Sequence, residues 1–298
     1  MDGRSRRPGR GGFREATVVI LRARDRRLDL GFRTRLMGIL NVTPDSFAEV
    51  GRVLDPGAAV AYAVGLARAG ADIIDVGAES TRPGSRGISA GEELDRVLPV
   101  LEGVLKAVDC LVSVDTSKPE VAEAALALGV HMVNDVTALR AGPAVAERVA
   151  RHGAGLVLMH MRGTPATMQL DPRYDDLLGE VSASLREAVA VAEAAGVRPD
   201  AIAVDPGIGF GKTVAHNLTL VKRLDAFRAL GKPLVVGPSR KSFIGAILDL
   251  PTGERLEGTL AACCIAAWQG AHILRVHDVA AARRAALVVD AIRAAPEA

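Results

Sequence analysis

The chain has 298 residues, 49% of them hydrophobic and 24% charged, the balance of a globular protein with a large core rather than a disordered or fibrous one. A formal net charge of +2, from 37 basic and 35 acidic residues, supplies no field of the kind that binds nucleic acid or a membrane surface. No apolar run approaches the roughly 20 residues of a bilayer span, and Cys110, Cys263 and Cys264 are too few and too poorly spaced for a disulfide framework or a zinc site.

Met1 to Gly12 is rich in Arg and Gly with almost nothing to bury, so residues 1–14 are expected to be a disordered basic tail. With no apolar segment after these charges, no signal peptide and a cytoplasmic location are expected. Residues 15–298 are expected to form a single domain. Thr17-Val-Val-Ile-Leu21 and Leu28-Asp-Leu30 flank the charged turn Arg24-Asp-Arg-Arg27 and predict a β-hairpin capping one end of the fold. One pattern then recurs: a short β-rich run, a polar loop, and a stretch of helical periodicity. The runs are Leu36–Leu40, Asp72–Val76, Leu111–Val114, His131–Val133, Gly155–Met159, Ala201–Val204, Pro233–Val236 and Ile273–Val276. Helices are predicted over Pro56–Ala69, Gly91–Val104, Pro119–Leu128, Pro143–His152, Leu177–Ala195, Asn217–Leu230, Glu257–Gln269 and Val279–Ala294. Eight strand-helix units with right-handed crossovers predict an α/β fold, a closed (β/α)8 barrel of the TIM type with an N-terminal β-hairpin.

In such barrels the chemistry sits at the C-terminal ends of the strands. The residues found there are Asn41-Val-Thr-Pro-Asp-Ser46, Glu79-Ser-Thr-Arg-Pro-Gly84, Asp115-Thr116, Asn134-Asp135, His160-Met-Arg162, Asp205-Pro-Gly-Ile-Gly-Phe-Gly-Lys212, Gly237-Pro-Ser-Arg-Lys-Ser242 and Arg275-Val-His277. Asp and Asn often terminate strands or cap helices, but eight polar loops converging on one face are more than capping requires. Glycine- and serine-rich turns at Gly84, Gly207–Gly211 and Ser239–Ser242 offer backbone N–H groups to an anion, and Arg82, Arg275 and His277 add donors suited to phosphate oxygens. Asp115, Asn134 and Asp205 suit the adjacent N–H and C=O groups of a flat heterocycle. Together they imply a phosphorylated heterocycle.

In this order, Met37-Gly-Ile-Leu-Asn-Val-Thr-Pro-Asp-Ser-Phe47, Gly77-Ala-Glu-Ser-Thr-Arg-Pro-Gly84, Ser113-Val-Asp-Thr116, Asn134-Asp-Val136, Asp205–Lys212, Ser239-Arg-Lys-Ser-Phe-Ile-Gly245 and Arg275-Val-His277 resemble the dihydropteroate synthase family of folate biosynthesis, over about Met37 to Val279. The resemblance implies condensation of (7,8-dihydropterin-6-yl)methyl diphosphate with p-aminobenzoate, release of diphosphate, Mg²⁺ as cofactor, and a homodimer formed through the late helices. It implies pterin-pocket positions at Asp115, Asn134, Asp205 and Lys241, diphosphate positions at Arg275 and His277, and a metal ligand at Asn41. Thr81 and Arg82 fall in the loop that in the family closes over the reacting centre. Ser242, at a helix start, suits the benzoate carboxylate. Phe210 and Met159 supply apolar walls. The plain alternatives are a turn-shaping role for Asn41, strand-end capping for Asp115 and Asn134, and a solvated charge for Lys241.

The chain departs from the family after Phe47, where Ala48-Glu-Val-Gly51 replaces a serine, an aspartate and two glycines. Val50 resists the positive φ that glycine allows, so this loop is expected to close differently. Methyltransferase barrels that bind methyltetrahydrofolate share the Asp/Asn pocket but have no need of Ser239–Ser242 and Arg275–His277 together. A non-catalytic pterin-binding paralogue, separated by its failure to release diphosphate, and a generic phosphate-binding barrel complete the alternatives.

Overall fold

The computed structural model describes residues 19–31, 33–42, 55–80 and 84–296. The basic tail, Thr81, Arg82 and the divergent Ala48-Glu49-Val50 lie outside the described residues. The hairpin pairs β1 (Ile20–Ala23) with β2 (Arg26–Asp29). Its turn is tighter than the sequence implies: Arg24 takes a left-handed φ of 59°, and Arg26 and Arg27 join the second strand.

Eight parallel strands follow: β3 (Arg35–Asn41), β4 (Ile73–Gly77), β5 (Leu111–Asp115), β6 (Met132–Asp135), β7 (Gly155–Met159), β8 (Ile202–Asp205), β9 (Val235–Val236) and β10 (Ile273–Val276). Their order is β8-β7-β6-β5-β4-β3-β10-β9, and a parallel bridge between Val204 and Leu234 closes the ring. This is the (β/α)8 barrel that the sequence predicts.

The surrounding helices are α1 (Pro56–Arg68), α2 (Ala90–Ala107), α3 (Pro119–Leu128), α4 (Ala144–His152), α5 (Leu177–Ala194), α6 (Val214–Lys222), α7 (Ser242–Leu248), α8 (Leu256–Trp268) and α9 (Val279–Arg293). Several start on side-chain caps that satisfy first-turn N–H groups: Asp55 before α1, Ser89 before α2 and Asp176 before α5. The helix expected over Asn217–Leu230 is divided. A Thr213/His216 capping box starts α6 earlier, and Leu224–Leu230 is a 3₁₀ helix whose buried Leu224 and Phe227 recur at the three-residue spacing of that geometry.

A barrel strand turns alternate side chains to the lumen and to the helices. Outward residues such as Leu36, Ile74, Val112, Leu156, Val204 and Val276 join Leu101, Leu126 and Leu185 in the core between sheet and helices. The inward set begins with Met37, Ile73, Leu111, Met132, Val157, Ala203, Val235 and Ile273, one from each strand, and Leu21, Ala23, Leu28 and Leu30 of the hairpin pack against them as the plug of the barrel's lower end. Two residues further along the same inward faces, the chain carries Asp75, Ser113, Asn134, Asp205 and Arg275. The lumen is therefore apolar at one end and polar at the other. No described helix is long and apolar enough to cross a membrane.

Leu21 is fully buried in the plug, so Leu21→Ala is expected to destabilise the barrel by about 2–5 kcal/mol, as leucine truncation in a packed core does. Denaturant unfolding checks the loss; a change below about 1 kcal/mol shows that the hairpin is dispensable to the barrel.

Candidate active site

The polar layer is organised by Arg275 of β10. Its Nε donates to Asp75 Oδ2 at 2.7 Å and its Nη2 to Asp115 Oδ2 at 2.6 Å, so one guanidinium spans two carboxylates from β4 and β5. Burial opposes its charge, but Asp75 and Asp115 outweigh that and hold its pKa above the ordinary arginine value. Asn134 of β6 donates from Nδ2 to the same Asp75 Oδ2 at 3.0 Å. Burial pushes Asp115 up to about 7, against the attraction of Arg275 and with repulsion from Asp75, Glu93 and Asp135. Asp135, the residue after Asn134, points outward and accepts from Thr137 N, Thr137 Oγ1 and Leu139 N, shaping the next turn.

On the opposite arc Asp205 ends β8, buried, and accepts from Gly207 N at 2.7 Å. Burial raises its pKa to about 6, while the Gly207 bond, Lys241 and Arg275 pull it down. Lys241 lies with Nζ 3.9 Å from the centroid of the Phe210 ring, a cation–π contact. Burial, with Arg275 beside it, brings its pKa down to about 8 against the pull of Asp205 and Asp115. The Gly207–Gly211 loop reaches this position by threading close to neighbouring backbone. Gly207 has φ +71°, and a Cβ there would collide with the His160 carbonyl oxygen.

The rim is built from the β9 and β10 loops. His277 N donates to Ser239 Oγ at 3.2 Å, and the same hydroxyl lies 3.0 Å from His277 Nδ1, with the donor there set by the ring tautomer. Burial, Arg240 and Arg275 lower the His277 pKa to about 3, so the ring is neutral. Arg240 is held by both oxygens of Asp278. Ser242 is exposed at the first turn of α7, and Asn41 is half-buried at the end of β3.

Asp115, Asn134, Asp205, Phe210, Lys241, Arg275 and His277 thus come together around one mouth, with Ser242 and Asn41 at its edge. Arg275, inside β10 as the run Ile273–Val276 predicts, is anchored among the carboxylates. Two expectations change. The Gly207–Gly211 loop is not an open anion cradle: Gly207 N is taken by Asp205 and Gly209 N by Asn217 Oδ1 at 2.7 Å. Gly84 N donates to Pro165 O at 3.0 Å and stands well before α2. Sequence reasoning passed over two residues. Asp75 sits at the third position of β4, where period two turns it into the lumen. Lys212 is buried and donates to Phe210 O at 3.0 Å while facing His160 Nδ1 at 2.9 Å; burial lowers its pKa to about 7 against the pull of Asp205. The remaining histidines are structural: His131 and His272 accept from Val112 N and Leu234 N, each at 3.0 Å.

A closed barrel whose mouth gathers Asp115, Asn134 and Asp205 beneath His277 is the frame on which residues 37–277 match the family described as pterin binding enzyme. The chain is 47% identical over 270 residues, 91% of its length, to dihydropteroate synthase of Escherichia coli (strain K12), covering 95% of that protein, and 46% identical over 265 residues to that of Synechocystis sp., covering 92%. Among solved structures it superposes with a TM-score of 0.88 on Yersinia pestis dihydropteroate synthase in a sulfonamide drug complex (43% identity, 93% of this chain, 100% of that one). The Xanthomonas albilineans dihydropteroate synthase with 4-aminobenzoic acid gives a TM-score of 0.87 (44% identity, 94% and 100%). The chain belongs to the dihydropteroate synthase family.

Gly207→Ala is expected to remove most catalytic activity, since the new methyl displaces the His160 backbone and adds about 1–2 kcal/mol of left-handed strain. Steady-state kinetics check it; wild-type kcat/KM in the variant contradicts this geometry.

Proposed function

We propose that this transferase joins p-aminobenzoate to (7,8-dihydropterin-6-yl)methyl diphosphate, forming 7,8-dihydropteroate and releasing diphosphate. The observation that carries the reading is the convergence of Asp115, Asn134, Asp205 and Lys241 on one buried, mixed-charge pocket beneath a rim holding His277 and Ser242. Asp115, Asn134 and Asp205 read the N–H edges of the pterin, Phe210 walls its face, and Lys241 balances the acids. His277 offers its neutral ring to the diphosphate, and Arg275 offers the guanidinium hydrogens not committed to Asp75 and Asp115. Ser242 and the first turn of α7 receive the benzoate carboxylate, and Thr81 and Arg82 belong to the same substrate set by family position.

No protein nucleophile is needed. The benzoate amine supplies the electron pair for the new C–N bond to the pterin methylene, the C–O bond to diphosphate breaks, and the amine loses a proton. The electron-rich pterin shares the positive charge that develops on the methylene. What the side chains contribute is alignment of the two reactants and stabilisation of departing charge.

Asn41 fits a hard cation. Among the described residues no group of three or more His, Cys, Asp and Glu gathers in metal-binding geometry. Asn41 would offer its amide oxygen to Mg²⁺, an ion held by one or two protein oxygens with substrate phosphates and waters. When bound there, such an ion would supply neutralisation of charge on the leaving diphosphate.

The reading extends to a homodimer. Ile265 and Trp268 of α8 and Val288 and Ile292 of α9 are large apolar side chains left about half or more exposed, on adjacent helices far from the site. Trp268→Glu with Ile265→Glu is expected to yield a monomer by light scattering, and a dimer surviving both changes refutes that face.

The enzyme is expected to release diphosphate only when p-aminobenzoate is present, and Lys241→Ala to lower kcat/KM at least about tenfold through loss of its cation–π and charge contacts. Release that ignores p-aminobenzoate, or binding without release, refutes the reading. Catalysis with ionised Asp115 and protonated Lys241 gives a kcat/KM that rises with pH through about 7 and falls through about 8. Lys241→Arg keeps the cation charged and should remove the alkaline fall; an unchanged profile assigns that limb elsewhere.

A further inference from the structure

Asp75 is 0% exposed at the centre of β4, yet it is neither at a strand end nor in a loop. One of its oxygens, Oδ2, accepts from both Arg275 Nε at 2.7 Å and Asn134 Nδ2 at 3.0 Å. The other, Oδ1, is buried with no partner among the described residues, as is Ser113 Oγ, its register neighbour on β5. A buried carboxylate is costly unless its lone pairs are used, so Asp75 is retained here for what it does to its two donors.

We propose that Asp75 is a positioning residue that sets the hydrogen-bonding polarity of the pterin pocket, turning the Asn134 amide oxygen toward the ligand and holding Arg275 off one oxygen of Asp115. This rests on the pterin reading of the site. An amide is planar, so fixing Asn134 Nδ2 on Asp75 places its oxygen at the other corner, as an acceptor for a ring N–H. A guanidinium facing a lone carboxylate closes on it as a two-bond fork. Because Asp75 takes Nε, Arg275 reaches Asp115 through a single bond to Oδ2, and Asp115 Oδ1 carries no bond to Arg275. Without Asp75 the Asn134 amide is free to turn over, and Arg275 is free to engage both oxygens of Asp115.

The charge of Asp75 also bears on Asp115, which faces Arg275, Asp75, Glu93 and Asp135. Asp75 opposes its ionisation, so removing that charge makes ionised Asp115 easier to form, and a rise of pterin binding with pH through Asp115 moves to lower pH. A merely structural role produces no such movement.

The test is titration of 6-hydroxymethylpterin, which lacks the diphosphate and does not react, into wild type, Asp75→Asn and Asp75→Ala across the neutral pH range. Melting temperatures are measured in parallel. Asp75→Asn preserves shape and one acceptor, so it reports even where the alanine variant does not fold. The expected result is an affinity loss of at least about tenfold in the folded variants, with the pH midpoint of binding displaced downward. Wild-type affinity, or a loss with the midpoint unmoved, overturns the role of Asp75. Failure of wild type itself to bind 6-hydroxymethylpterin overturns instead the functional reading on which the proposal stands.

Discussion

Arg275 enters the lumen where apolar side chains stop, and a buried guanidinium is tolerable there only beside compensating charge. Asp75 and Asp115 supply it from β4 and β5, two strands that follow β3 in the ring while Arg275 stands on the other side of β3. The rest of the mouth follows from that arrangement. One cation shared between two acids leaves a negative balance on the β4–β6 arc, where Asn134 and Asp115 are held, and Lys241 offsets the acid of the β8 arc, Asp205. A ligand presenting several N–H groups with polarised carbonyls along one flat edge suits such a surface. A purely anionic ligand suits only the rim, where His277 and the first turn of α7 face outward.

Stability and chemistry occupy opposite ends of the same strands. The floor layer and the hairpin exclude water from below, and the helices seal the outer faces with an apolar core. The polar layer above can therefore hold unfavourable burial, seen in Asp115 and Asp205 displaced upward and Lys212, Lys241 and His277 displaced downward. Perturbation in both directions within one mouth is the pattern expected of a site rather than of a structural ion pair.

Much of this is legible in the sequence alone. Alternating apolar runs and helical stretches gave eight units, because each barrel strand is short, buried on both faces and bounded by turn residues. The polar residues at strand ends marked Asp115, Asn134 and Asp205 for the same reason. Depth was harder to read. Arg275 and His277 share a face, but Arg275 lies within β10 and His277 beyond it, so one is drawn into the carboxylates and the other stays at the rim. Asp75 lies inside the apolar run Asp72–Val76, where only its two-residue spacing from Ile73 marks it as facing the lumen. Lys212 follows a glycine-rich turn, and only the close passage of that turn against His160 makes its amine a buried tie.

The division of the pocket is tested most directly by a crystal structure with 6-hydroxymethylpterin and p-aminobenzoate bound together. The account predicts the pterin edge within hydrogen-bonding distance of Asp115, Asn134 and Asp205, its face against Phe210, and the benzoate carboxylate at Ser242. A pterin seated at the rim, with those three side chains making no bond to it, contradicts the account.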